Sequence, residues 1–253
     1  MTRVKPTQQI YSNYSKEDFD VWSTLFNRQL KLLRLHASTD YLIALQKIGF
    51  SADTIPDFDD VNARLKALTG WSLVTVPCIS AQKDFFDFLT QKKFTATCWL
   101  RKMAELDYLE EPDMFHDVFG HAPLLTNENY CQFFEQIGKL ALQHIDNPEV
   151  IEKLGRVYWF TIEFGLIREA GEIKVFGAGI MSSNAECINA LKPETKKIDF
   201  DIVTMLNTEY RTDVLQDKYF VTESFAQLAG SIPELENEIA KIAQKTNSTH
   251  FMQ

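Results

Sequence analysis

Apolar residues along the chain recur mostly at helical rather than strand spacing. After a polar opening segment, Phe19, Trp22, Phe26, Leu30 and Leu33 fall at three- and four-residue intervals, the stripe of an amphipathic helix. Ser15, followed three residues later by Asp18, has the form of a capping box that opens this helix. The residues before it, about 1–14, and the last few of the chain are expected to be poorly ordered. Residues 59–69 predict a short helix stopped by Gly70, and WSLVTV (71–76) and FTATCW (94–99) predict short strands around a helix near 83–92. From about 113 the spacing is helical again. It predicts a short helix over 113–120, a second over about 128–145, and a third opened by Asn147 with Pro148 at its first position, running to roughly Arg168. Gly171 leads into a strand, EIKVF (172–176), and then the loop GAGIMSS (177–183). Ser183 with Glu186, and Ser231 with Glu234, have capping-box spacing for two further helices. The pattern predicts a mainly α fold with a minor β component.

Composition narrows the setting. With 253 residues, 45% of them hydrophobic, the chain can bury a substantial core. No linker, low-complexity tract or internal repeat divides it, so residues 1–253 are expected to form a single domain. The formal charge of −9, with basic runs no longer than pairs such as Lys92-Lys93, argues against a nucleic-acid partner. The N-terminal residues lack the apolar core of a signal peptide, and no stretch approaches the ~18 apolar residues of a membrane span. A cytoplasmic protein with no membrane partner is therefore expected. Cys78, Cys98, Cys131 and Cys187 are far apart with no CxxC pair, which favours reduced packing thiols over disulfides or a thiolate zinc site.

Candidate chemistry gathers around two of the five histidines, His116 and His121, in EEPDMFHDVFGHAPL. His36, His144 and His250 are isolated and read as packing residues. On an undistorted helix, positions five apart point about 140° away from each other. Convergence of the two rings therefore requires the helix to end or deform between them, for which Gly120 and Pro123 supply the means. A third candidate, Glu163, lies in VYWFTIEFGLI with only Trp159, Phe160, Leu166 and Ile167 as its helical neighbours. An ionised carboxylate on so apolar a face costs several kcal/mol unless a cation neutralises it. A divalent metal would do this, and so would an ion pair with Arg101, Arg156 or Arg168. Two imidazoles and a carboxylate form the facial triad of non-haem iron(II) oxygenases, and His₂Glu also serves zinc hydrolases, so the ligand types alone leave both metals open.

The segments EPDMFHDVFGHAPL (111–124), YWFTIEFGL (158–166) and GAGIMSS (177–183), in this order and spacing, resemble the catalytic domain of the aromatic amino acid hydroxylases. The similarity covers roughly residues 10–230. The resemblance implies that family's catalytic-domain fold and the hydroxylation of L-phenylalanine to L-tyrosine, with O₂ and a tetrahydropterin as co-substrates at an iron(II) centre. It makes His116, His121 and Glu163 the catalytic iron ligands. Arg101 stands where the family clamps the substrate carboxylate, with Asp113 orienting it. Pro112, Trp159, Gly179 and Ser182 surround the substrate ring, while Phe85, Ile79, Ser80, Asp117 and Tyr158 face the pterin. Trp159 matches members that prefer phenylalanine, tryptophan hydroxylases tending to carry Phe there, so tryptophan hydroxylation is the alternative within the family. Cys78, often Gly in the family, and Leu109, Thr in animal members, depart from its pattern. The chain looks like the short bacterial form, monomeric or dimeric.

Overall fold

The computed structural model describes residues 5–107 and 109–250, with side chains through residue 246. Helix α1 (Lys16–His36) starts at the expected capping box: Ser15 accepts from the Asp18 amide, and the Asp18 carboxylate accepts from the Ser15 N–H at 2.7 Å. It buries Val21, Trp22, Leu25, Phe26 and Leu33 and is followed by α2 (Thr39–Ile48) and α3 (Phe58–Leu68). Strands β1 (Ser72–Thr75) and β2 (Lys93–Ala96) pair in parallel, Ser72 opposite Lys93, with α4 (Gln82–Thr90) as the crossover. A first π-helical turn, Phe115–His121, leads through a 3₁₀ turn into α5 (Glu128–Gln143) and then α6 (Pro148–Tyr158). A second π turn, Trp159–Glu163, follows α6 without a break.

The remaining chain forms β3 (Leu166–Glu169), β4 (Glu172–Val175), α7 (Ala178–Met181), α8 (Asn184–Leu191), β5 (Lys196–Asp199), α9 (Ile202–Leu206), β6 (Lys218–Thr222), α10 (Phe225–Gly230) and α11 (Ile232–His250). Strands β4, β3, β6 and β5 lie side by side in that order, with β3 antiparallel to β4 and parallel to β6. Helix dominates, and this is the mainly α architecture with minor β that the hydrophobic spacing predicts.

One continuous apolar core runs beneath both π turns. Trp22 meets Phe115 edge-on at 5.5 Å, Phe115 stacks on Phe119 at 4.6 Å, and on the other side Trp71 stacks on Phe134, which packs against Tyr158 at 5.8 Å. Each such ring contributes roughly 1.5–3 kcal/mol by burial. The Tyr41 hydroxyl, fully buried, donates to the Phe119 carbonyl at 2.6 Å and so satisfies a backbone group inside the first π turn.

Three local expectations are corrected. The helix opened by Asn147 stops well short of Arg168: after the second π turn, Leu166 and Ile167 are drawn into a strand between β4 and β6. Residues 5–14 are tied down rather than loose. Gln9 bonds the Pro56 carbonyl and the Phe58 amide, the Tyr11 hydroxyl bonds the Ile55 carbonyl, and the Tyr14 hydroxyl bonds the Cys98 carbonyl at 2.7 Å. Residues 1–4 and 251–253, also expected to be loose, lie outside the described residues. Ser183 caps α8 through the Glu186 amide, but the Glu186 carboxylate turns inward to Gln216 and Tyr219. Ser231 spends its hydroxyl on the Leu228 carbonyl, so neither makes a reciprocal box.

Tyr41→Phe removes the hydroxyl and leaves the Phe119 carbonyl buried without its partner. We expect a loss of about 1–3 kcal/mol of stability, read as a lower urea midpoint with unchanged slope; an unchanged midpoint would show that the π turn does not depend on this bond.

Candidate active site

A π turn closes its hydrogen bonds between residues five apart, so in Phe115–His121 the side chains of His116 and His121 are brought toward one side, where a regular helix would set them about 140° apart. Their Nε2 atoms lie 3.3 Å apart. The second π turn delivers Glu163 to the same point, with Oε1 3.1 Å from His121 Nε2 and Oε2 3.6 Å from His116 Nε2. Ligand atoms of all three residues fall within 4.8 Å of one another. Tyr158, five residues before Glu163, uses the same π geometry to donate its hydroxyl to Glu163 Oε1 at 2.9 Å.

The hydrogen bonds behind the rings fix what they present. Ser182 donates its hydroxyl proton to the Ala178 carbonyl at 2.8 Å, so its oxygen accepts from His116 Nδ1–H at 2.9 Å. That makes Nδ1 the protonated nitrogen and leaves the Nε2 lone pair aimed at Glu163 and His121. His121 is buried against the Phe94 ring at 4.6 Å, and its Nδ1 has no hydrogen-bond partner among the described residues.

Burial pushes the His116 imidazole down to about 4, the neutral form that a metal requires. Burial would raise the Glu163 carboxyl, but the facing His121 and His116 and the Tyr158 hydroxyl reverse this and hold it well below the usual carboxylate range. Two imidazoles and an anionic oxygen thus crowd one small volume. A divalent cation answers this donor set. The alternative of a buried ion pair is eliminated by geometry, because Arg101 pairs with Asp113, Arg156 with Glu152, and Arg168 with Asp199 and Glu223.

The backbone around the cluster is unusually close. A Cβ on Gly177 would lie 2.4 Å from the Glu163 carbonyl, and one on Gly179 would lie 2.7 Å from the Phe164 ring, so α7 can press against the second π turn only with glycine at both positions. This contact brings Ser182, at the end of α7, to His116.

The other expected residues fall in two groups around the cluster. On one side, buried Arg101 holds Asp113 through two parallel bonds, Nε to Oδ2 and Nη2 to Oδ1, both 2.9 Å, and Asp113 Oδ1 also accepts from the His116 amide at 3.2 Å. Pro112 is half-buried beside this pair in sequence, and Trp159 opens the second π turn. On the other side, Asp117 accepts from the Thr97 amide and hydroxyl at 2.7 and 2.8 Å, and burial pushes its carboxyl up to about 7. Phe85, on α4, meets Tyr158 edge-on at 5.9 Å. Ile79, 71% exposed, and half-buried Ser80 sit on the loop before α4, and that loop is anchored by the Trp99 indole donating to the Pro77 carbonyl at 3.0 Å. Thr97, Phe94 and Gln216 touch site residues without having been singled out in the sequence; each comes from a distant segment and carries no motif of its own. His36 and His144 lie away from the cluster, the His250 side chain is outside the described residues, and all four cysteines are free, only Cys78 being exposed.

Comparison with known proteins agrees with this arrangement. Residues 3–249 match the family model described as biopterin-dependent aromatic amino acid hydroxylase. A phenylalanine-4-hydroxylase of Chromobacterium violaceum is 41% identical over 223 residues, 87% of this chain and 74% of that protein. One from Mesorhizobium japonicum is 43% identical, over 85% of this chain and 78% of its own length. A crystal structure of the Chromobacterium enzyme with bound iron(III) and oxidised cofactor 7,8-dihydrobiopterin superposes with a TM-score of 0.86 at 40% identity, covering 92% of this chain and 85% of that one. The chain belongs to the biopterin-dependent aromatic amino acid hydroxylase family.

Proposed function

We propose that this chain is a phenylalanine 4-monooxygenase, converting L-phenylalanine and O₂ to L-tyrosine with a tetrahydropterin as co-substrate at an iron(II) centre. The observation that carries the reading is the convergence of His116 Nε2, His121 Nε2 and a Glu163 oxygen, which fits the facial triad of an iron(II) oxygenase. The phenylalanine-4-hydroxylase names of the relatives, together with Trp159 at the ring-pocket position, favour phenylalanine over tryptophan. No helix of the described residues is long and apolar enough to cross a membrane. We place the enzyme in the cytoplasm, as a single catalytic domain that is monomeric or dimeric.

Bound iron(II) and tetrahydropterin supply the oxygen-binding position and the two electrons that ring hydroxylation requires. The protein contributes orientation and dryness. His116, His121 and Glu163 hold the metal on one face, with the His116 tautomer set by Ser182. Arg101, rigid because Asp113 occupies Nε and one edge of Nη2, offers its remaining N–H groups to the amino acid carboxylate. Pro112, Trp159 and Gly179 enclose the ring, so that its far carbon faces the metal. Phe85, with Tyr158 and the loop of Ile79 and Ser80, forms the pterin side, where Asp117 adds a buried polar contact. Fixing both reactants in this way is what lowers the barrier.

The reading is tested by loading metal-free protein with iron(II) and assaying tyrosine formation with phenylalanine and a tetrahydropterin. Product that requires both iron and pterin is expected; zinc retention with no turnover would point to a hydrolase instead. Glu163→Ala and His121→Ala should each lose stoichiometric iron and activity, whereas an iron-replete, active variant would reject the ligand assignment. Ser182→Ala, which frees the His116 ring, should weaken metal affinity or activity by about 10–100-fold, measured by competition with a chelator. Arg101→Lys keeps a cation beside Asp113 but lacks the fork, and its phenylalanine KM should rise on the order of tenfold or more with little change in the pterin KM. An unchanged phenylalanine KM would remove Arg101 from the substrate site.

A further inference from the structure

Behind the Trp159 indole lies a buried polar knot that no step of the reaction employs. Gln216 is the one buried residue between 207 and 217, 7% exposed, and every hydrogen-bonding group it carries is engaged. Its side-chain amide donates to the carbonyls of Arg211 and Val214 at 2.8 and 3.1 Å. Those two bonds fix which end of the amide is which, and they turn Oε1 toward the Trp159 Nε1–H, which donates to it at 2.9 Å. The Gln216 backbone N–H donates to Glu186 Oε1 at 3.2 Å, and its carbonyl accepts from Asn189 at 2.7 Å. The Tyr219 hydroxyl donates to the same Glu186 oxygen and accepts from Asn189. A buried network satisfied at every member holds one geometry rather than several.

The consequence falls on two rings. By gripping the Arg211 and Val214 carbonyls, Gln216 straps down an otherwise exposed connection between α9 and β6, and that connection carries Tyr210. Tyr210 stacks on Trp159 at 4.3 Å with the planes 15° apart, and Phe164 packs against the same indole at 4.4 Å. Trp159 is therefore held by its Nε1–H and by its ring together, and both restraints lead back to Gln216.

We propose that Gln216 is a specificity-determining positioning residue, which pins Trp159 and the Tyr210 segment so that the pocket accepts a single six-membered ring and disfavours a larger indole. The proposal rests on the reading of Trp159 as a wall of the substrate pocket. Phenylalanine and tryptophan differ in ring size while sharing the amino acid head, so the discrimination lies in the ring pocket, of which Trp159 is one wall, and not at Arg101.

The test uses the full iron-loaded chain with phenylalanine and tryptophan as competing substrates. Gln216→Met keeps the length of the side chain and removes its amide. We expect the ratio of kcat/KM for phenylalanine over tryptophan to fall about tenfold, the phenylalanine KM to rise more than kcat falls, and the pterin KM to stay unchanged. Acrylamide quenching of the Trp159 emission, obtained by difference from the matching Trp159→Phe protein, should increase. Tyr210→Ala alters an exposed side chain and should shift the ratio in the same direction, while adding little on top of Gln216→Met, because the two act through one segment. A ratio within about twofold of the parent in folded Gln216→Met, unchanged quenching, or full additivity would overturn the proposal. Should Gln216→Met fail to fold, an unaltered ratio in Tyr210→Ala overturns it instead. A parent chain that makes no tyrosine counts against the reading of the site, and it is seen before any variant is compared; the quenching result then still decides whether Gln216 holds Trp159.

Discussion

A helical residue and its fifth successor are brought toward one side where the helix has widened into a π turn, and this happens twice among the described residues. In Phe115–His121 it joins His116 to His121, and in Trp159–Glu163, which continues directly from Tyr158, it joins Tyr158 to Glu163. Were either segment to relax to regular helical spacing, the paired side chains would swing about 140° apart and the donor cluster would dissolve. The π turn is an inherently unfavourable conformation, so something outside each segment must hold it. The first is held by the aromatic core against Phe115 and Phe119 and by the Tyr41 hydroxyl on its Phe119 carbonyl; the second by α7, whose glycines press to within contact of the Glu163 backbone.

This support matters because the cluster itself works against folding. Glu163 is a buried anion, and its partners among the described residues are two imidazoles and a tyrosine hydroxyl. A neutral imidazole offers one N–H, and the His116 ring has spent its own on Ser182, so without a cation only the Tyr158 hydroxyl and the His121 ring offset the several kcal/mol cost of burying the carboxylate. The large buried core, continuous beneath both turns, is what can absorb such a cost, and a cation bound there would return it as added stability by mass action. A cation bound at these three side chains would reconcile the stability of the fold with the cost of the cluster.

Much of this was legible in the sequence, and the limits of legibility are physical. The capping box at Ser15, the β1–α4–β2 unit and the apolar neighbours of Glu163 are local signals, and each appears where the spacing places it. The i, i+5 spacing of the histidines announces that the helix must deform, though it does not say that the deformation is a π turn rather than an ending at Gly120. The apolar run of the strand at Leu166–Glu169 suits helix as well as strand, and only its pairing with β4 and β6 decides between them. Gln9, Tyr11 and Tyr14 look like a polar tail until the chain folds back and their polar atoms find the Pro56, Ile55 and Cys98 carbonyls. Thr97 and Gln216 carry no motif, since a polar side chain that serves by touching another is visible only once the contact exists.

The two ends of the proposed substrate site are built on one principle with different materials. At one end, Arg101 is stiffened by a carboxylate, Asp113, that also receives the His116 amide, so the group offered to the amino acid head shares a support with a metal ligand. At the other end, Trp159 is stiffened by an uncharged amide, Gln216, within a knot that closes on Glu186, Asn189 and Tyr219. A charged clamp suits a charged head, where small errors of position are forgiven by the long reach of the Coulomb interaction. A ring has no such guide. Contact with it falls away within an ångström, so its wall has to be fixed by bonds that tolerate little displacement, and a fully satisfied buried amide provides them. The distance between Trp159 and the Glu163 carboxylate then becomes a property of the scaffold, because one π turn carries both residues, and the ring wall and the donor cluster cannot drift independently.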